Sequence, residues 1–287
     1  MRRVLAVIGG SGVYDIPELA NVREHTVDTP FGSPSDSIVE GVLGDVRCLF
    51  LPRHGKNHQL PPHQINYRAN ICALKQLGAE QVVSVSAVGS MREDIPPGDV
   101  VVVDQYIDLT KRRPSTFFED GVVAHVSFSD PVCQQLATRA AQAVVQAGGT
   151  VHSGGTYVCI EGPQFSTRAE SLLFRSWGVS VIGMTAMPEA KLAREAELPY
   201  CTLAFATDYD CWHESHAAVS VEAVIRVLKQ NSALAKRALV GLATNLPDPK
   251  LSPASTALAT AILTAPNRID TASRARLGWL LDPYLEQ

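Results

Sequence analysis

Short runs in which nearly every residue is apolar, many of them β-branched, recur along this chain and alternate with stretches of helical periodicity. A strand covered on one face alternates apolar and polar residues, whereas one covered on both faces is apolar throughout. Val4–Ile8, Val46–Leu51, Gln81–Ala87, Val100–Asp104, Tyr157–Ile160, Val179–Ile182 and Tyr200–Thr207 read as such strands. Asn66–Leu77, Pro131–Gln146, Thr167–Ser176, Pro188–Ala196 and Val221–Leu239 read as helices, the last with Val221, Val224, Ile225, Leu228 and Leu234 at helix-compatible spacing. The alternation predicts an α/β protein with a largely parallel or mixed central sheet. Leu246-Pro247-Asp248-Pro249 and Ser252-Pro253 then break the pattern. Residues 1–246 are therefore expected to form one domain, and 247–287 a C-terminal extension of loop and one or two short helices packed on it.

The 287 residues are 46% hydrophobic and 19% charged, enough for a sizeable core, and the net charge is −4. Nucleic-acid binding through phosphates needs a basic excess that is missing here; Lys111-Arg112-Arg113 is a short cluster that reads as solvated surface. The apolar run after Arg2-Arg3 is too short for a signal-peptide core, and no stretch reaches the roughly 20 apolar residues of a membrane span. None of the six cysteines forms a C-x-x-C pair, which leaves buried free thiols in a reducing cytoplasm as the expectation.

In open α/β sheets ligands bind beyond the carboxyl ends of the strands. Gly9-Gly10-Ser11-Gly12 follows the first predicted strand. Its glycines permit close backbone approach and its N–H groups and hydroxyl suit an anion, although a tight turn without ligand has the same composition. It has neither the dinucleotide G-x-G-x-x-G spacing nor a P-loop Gly-Lys-Ser/Thr. Arg53 and His54 follow the second, Ser86 and Ala87 lie at the end of the third, and Met184 and Thr185 follow Val179–Ile182. Each alone could be an ordinary strand-end turn or a surface pair. Together they suit a small oxyanion such as phosphate. Asp208 and Asp210 end the last strand, where they read either as an acid/base pair or as helix caps; no His-x-x-Glu or His-x-x-x-His motif supports a metal.

These motifs are joined by Asp28-Thr29-Pro30-Phe31-Gly32, Asn66-Tyr67-Arg68-Ala69-Asn70 and Glu161-Gly162-Pro163-Gln164-Phe165-Ser166-Thr167-Arg168-Ala169-Glu170. From about residue 4 to 240 the ordered set resembles the 5′-methylthioadenosine phosphorylases of the purine nucleoside phosphorylase superfamily. The resemblance implies a single α/β domain with a mixed, partly barrel-like sheet, no metal or organic cofactor, inorganic phosphate as co-substrate, and a cytoplasmic homotrimer. It implies a phosphate site at Ser11, Arg53, His54, Ser86, Ala87 and Thr185; Ser11 and Ser86 stand where the animal enzymes carry threonine. Sugar and base sites carry over to Ala87, Phe165, Ser166, Met184, Asp208 and Asp210, with Phe165 packing on the purine. Val221, Val224 and Ile225 match the apolar pocket around the 5′ group, and His125 matches a histidine that reaches the neighbouring subunit's site. Leu277, Leu280, Leu281 or Tyr284 in the tail are candidates to close a neighbour's 5′ pocket.

The implied chemistry is attack of bound phosphate on the sugar C1′, with Asp208 protonating purine N7 and Asp210 accepting from the 6-amino group. Two close carboxyls favour one keeping its proton. The acidic pair argues for adenine over a 6-oxopurine. Phosphorolysis of 6-oxopurine nucleosides or methylthioinosine is the alternative, with a non-catalytic nucleoside binder or a nucleosidase using water behind it.

Overall fold

The computed structural model describes residues 3–10, 15–213 and 221–285. A mixed sheet of 11 strands runs through them. At its heart β4 (Val46–Pro52), β1 (Val4–Gly9), β5 (Gln81–Ser90) and β11 (Tyr200–Asp208) lie side by side, all parallel. Alternate residues of these strands enter opposite halves of the core. Ala6, Ile8, Leu49, Leu51, Ala204 and Ala206 pack on one side with α1 (Tyr67–Gln76) and α4 (Ala186–Glu195). Leu5, Val7, Cys48, Phe50, Leu203 and Phe205 pack on the other with α2 (Gln134–Gln146) and α5 (Val221–Thr244). Two buried faces are the physical reason the apolar runs are continuous.

β5 is the branch point. Along one edge Leu5–Ile8 of β1 pair with Gln81–Ser84, and then Gly89 and Ser90 pair antiparallel with β10 (Val181–Gly183). Along the other edge β11 follows β5 from Val82 to Gly89. One limb continues through β10 to β9 (Thr156–Cys159) and β7 (Gln105–Asp108). The other continues through β11 to β6 (Val100–Val102) and β8 (Val151–Ser153). Where the partner of β5 changes from β1 to β10, the sheet forks and leaves a space at the carboxyl ends.

Four strands escape the apolar-run criterion. β2 (Ala20–His25) is a largely exposed edge beside β3 (Ile38–Leu43), which continues to β4. In β3 the run is broken by Glu40, which is buried but paired with Arg23, His25 and Arg47. The expected strand Val100–Asp104 ends at Val102, because the chain there crosses from β6 to β7 on the other limb. β8 is short and half exposed.

Beyond α5, residues 247–285 make three 3-10 turns and α6 (Thr271–Leu285), a longer helix than the tail's composition suggests. Leu258, Leu277, Leu280 and Leu281 lie in the same core half as α1 and α4. This corrects the expectation that the tail leucines close a neighbour's pocket: they are spaced to face their own chain and are buried in it. Tyr284 is likewise engaged at home, donating to Glu197 Oε1 at 2.6 Å. Five of the cysteines are buried and the sixth, Cys211, is half-buried; all are unpaired.

Candidate active site

The fork of the sheet opens into a cavity of about 880 Å³, a volume typical of a small-molecule site. Arg53 and His54 from the end of β4, Ser86 and Ala87 from β5, Met184 and Thr185 after β10, and Asp208 and Asp210 at the end of β11 all line it. So do Phe165 and Ser166, from the loop before α3 (Arg168–Ser176). Ala87 is an exposed residue in the middle of the central sheet, because that face of β5 looks into the cavity. Ser11 lies outside the described residues, as do the side chains of Val221, Val224 and Ile225. His125 is exposed on a segment paired with Ala261 and is not among the residues lining its own chain's cavity.

At one end of the cavity hydroxyls gather. Ser86 Oγ lies 3.3 Å from both Thr185 Oγ1 and Tyr157 OH. Thr185 stands at the N-terminus of α4 without capping it, so its hydroxyl remains directed to the site. Burial pushes the Tyr157 phenol up to about 12, which keeps it a neutral hydroxyl.

Arg53 is placed differently from the sequence expectation of a guanidinium aimed at an anion. It is 2% exposed, and its fork is bidentate on the buried Glu189, Nε to Oε2 at 2.8 Å and Nη2 to Oε1 at 3.1 Å. Nη2 also donates to Ser84 Oγ at 2.7 Å, while Nη1 meets only Val85 O at 3.3 Å among the described residues. Burial works against the charge, but the Glu189 carboxylate outweighs it and holds the guanidinium firmly ionised. Tyr200 OH donates to the same carboxylate at 2.9 Å. His54 Nδ1 lies 2.8 Å from Leu60 O, and the ring stacks on His58 at 4.4 Å. Burial and then the neighbouring Arg53 charge lower its pKa to about 4, so the ring is neutral near pH 7.

At the other end sit the two aspartates, and the chain's turn there makes neither a helix cap. Asp210 takes a left-handed backbone, φ 53°, a conformation aspartate tolerates better than most residues. Its N–H donates to Asp208 Oδ1 at 2.8 Å. Its own carboxylate accepts from Ser166 Oγ at 3.0 Å and from Ser171 Oγ on α3. α3 is held in place by a capping box between Thr167 and Glu170. Asp208 is raised from its ordinary pKa chiefly by burial, with the Asp210 charge adding to it, against the pull of Thr207 and the Asp210 N–H. Thr207 Oγ1 lies 2.7 Å from Asp208 Oδ2 and 3.2 Å from Val88 O. Gly89 permits the arrangement, since a Cβ there would stand 3.0 Å from Asp208 Oδ1.

Several contributors carry no sequence signal of their own. Glu189 looks like one more acid of an amphipathic helix, and Tyr157 and Tyr200 look like core aromatics. Asn231 and Ser232 on α5 also line the cavity. Arg113, in the cluster read as solvated surface, is instead buried and donates to Met184 O at 2.7 Å, Met187 O at 2.6 Å and Glu161 Oε1 at 3.0 Å. It thereby ties the chain around Met184 and Thr185 to the Glu161 loop.

The sequence model of the Phosphorylase superfamily matches residues 4–243. The chain is 54% identical to an S-methyl-5′-thioadenosine phosphorylase of Geobacter sulfurreducens, over 99% of this chain and 100% of that one. It is 49% identical to the Koribacter versatilis protein of the same name, over 99% and 97%. Among solved structures, a methylthioadenosine phosphorylase from an Antarctic soil metagenomic library superposes with a TM-score of 0.92 at 48% identity, covering 98% of this chain and 99% of that one. A variant of the Schistosoma mansoni adenosine/methylthioadenosine phosphorylase, in complex with methylthioadenosine, gives 0.82 at 36% identity over 90% and 97%. With this match along nearly its whole length, the chain belongs to the phosphorylase superfamily and, within it, to the S-methyl-5′-thioadenosine phosphorylases.

Proposed function

We propose that this chain cleaves 5′-methylthioadenosine with inorganic phosphate, releasing adenine and 5-methylthioribose 1-phosphate. One observation carries the reading: a single cavity joins a hydroxyl-rich anion cradle to a pair of acidic residues, one of which, Asp208, is raised above its ordinary pKa by burial. Phosphate sits among Ser86, Thr185, the backbone at Ala87, His54 and the Nη1 edge of Arg53, with Ser11 as a further ligand. Phe165 and Met184 flank the purine, and Ser166 orients Asp210. The resemblance to the methylthioadenosine phosphorylases assigns the 5′ group to Val221, Val224 and Ile225.

Phosphate beside C1′ stabilises the developing oxocarbenium and then attacks it. The purine anion is a poor leaving group, and a neutral Asp208 delivers its proton to N7. Asp210, held by two serine hydroxyls, accepts from the 6-amino group. A 6-oxo group would place acceptor against acceptor there, which disfavours inosine-type substrates. No metal or organic cofactor takes part. The enzyme works as a cytoplasmic homotrimer, in which His125 of one subunit serves the cavity of the next.

The deciding experiment measures base release from adenosine, inosine and their 5′-methylthio forms, each with and without phosphate. Phosphate-dependent adenine release, fastest from the methylthio substrate, is the expected result. Release that ignores phosphate would make the protein a nucleosidase, and no release would leave only a binder.

A further inference from the structure

Among the described residues that line the cavity, Arg53 is the one permanent cation, and its charge is already matched by Glu189 at 2.8 and 3.1 Å. Among these residues an anion in the cradle therefore meets no unmatched cation. It is held by hydrogen bonds, and the balance of donors against acceptors decides which anion fits. The hydroxyls of Ser86 and Thr185 can rotate to donate or to accept. His54 has no such choice. Its Nδ1 lies 2.8 Å from the Leu60 carbonyl oxygen, which can only accept, so the ring proton resides on Nδ1. Nε2 of the neutral ring then carries a lone pair, and it has no partner among the described residues. The low pKa of about 4 keeps the ring from taking a second proton near neutrality.

We propose that His54 makes the anion subsite selective for an oxyanion that carries a proton, hydrogen phosphate, over one that carries none, such as sulfate. The O–H of hydrogen phosphate donates to Nε2. Sulfate, whose oxygens are all acceptors at neutral pH, sets lone pair against lone pair and leaves Nε2 desolvated and unpaired. The inference rests on the phosphorylase reading and specifies the ionic form of its co-substrate.

The test uses the full chain with 5′-methylthioadenosine, varied phosphate, potassium sulfate as competitor and constant ionic strength. Arsenate, protonated like phosphate near neutrality, replaces phosphate in a separate arm. Arsenate is expected to support adenine release, and the inhibition constant of sulfate is expected to exceed the KM for phosphate by about tenfold or more, as for a site left with an unmatched polar group. His54→Ala should bring that ratio toward one. A sulfate constant equal to the phosphate KM in the unaltered enzyme overturns the inference whether or not the variant folds, as does an unchanged ratio in a folded variant. Absence of any phosphate-dependent adenine release would instead overturn the phosphorylase reading and this inference with it.

Discussion

Asp208 and Glu195 show how the same side-chain chemistry is tuned by surroundings. Asp208 is lifted by burial and by Asp210, so its neutral form is the one that can act as acid. kcat/KM for methylthioadenosine should therefore fall as pH rises through the raised Asp208 pKa. Asp208→Asn should lose about a hundredfold or more on adenine nucleosides, the usual worth of a general acid, and gain relatively on 6-oxopurines; wild-type adenine rates in the variant would remove the acid role. Glu195, far down α4, is lifted by burial to about 7 while accepting from Thr116 Oγ1 and Phe117 N, both at 2.7 Å. The folded state thus holds a proton that the unfolded state releases near the ordinary glutamate value. Its contribution to stability is fully present below that value and is lost as pH rises through about 7. Glu195→Gln should flatten the decline of urea-unfolding free energy between mildly acidic and mildly basic pH, by on the order of 2 kcal/mol.

At the scale of elements, the Arg53–Glu189 pair ties the end of β4 to α4, and Tyr200 from β11 holds the carboxylate. Glu189→Ala leaves a guanidinium buried without compensation, and urea unfolding should register a loss of about 3–5 kcal/mol. The double replacement Arg53→Met with Glu189→Leu should recover much of that stability, because the desolvation cost goes with the charges, yet it should not recover phosphate-dependent turnover. Full turnover in the double variant would mean the pair serves folding alone. The sheet's fork gives the pair its place: β5 exchanges β1 for β10 as neighbour, and the groups beneath that exchange become accessible to a ligand.

For the whole molecule, the proposed trimer assigns the exposed His125 to the cavity of a neighbouring subunit. Light scattering should give three times the chain mass of 30.9 kDa. His125→Ala should leave the assembly intact and raise the KM for methylthioadenosine roughly tenfold, the worth of about one hydrogen bond. A monomer with full activity would remove both claims. The tail belongs to the same unit energetically, since Leu277, Leu280 and Leu281 complete a core half shared with α1 and α4.

Strands buried on both faces, such as β1, β4 and β11, were readable from sequence because continuous apolarity has no other economical explanation in a short segment. Glycine and small hydroxyl residues after those strands pointed to the ligand end for the same local reason. What sequence by itself determined was therefore the α/β architecture and the residue types at the strand ends: these depend on nearest neighbours and on periodicity. Only the tertiary structure decided that Arg53 faces Glu189, that Arg113 is buried against Met184 and Met187, and that Asp208 rather than Asp210 is set against Thr207. Charge pairing and burial join groups far apart in the chain, and no local pattern records which distant partner a charged side chain will meet.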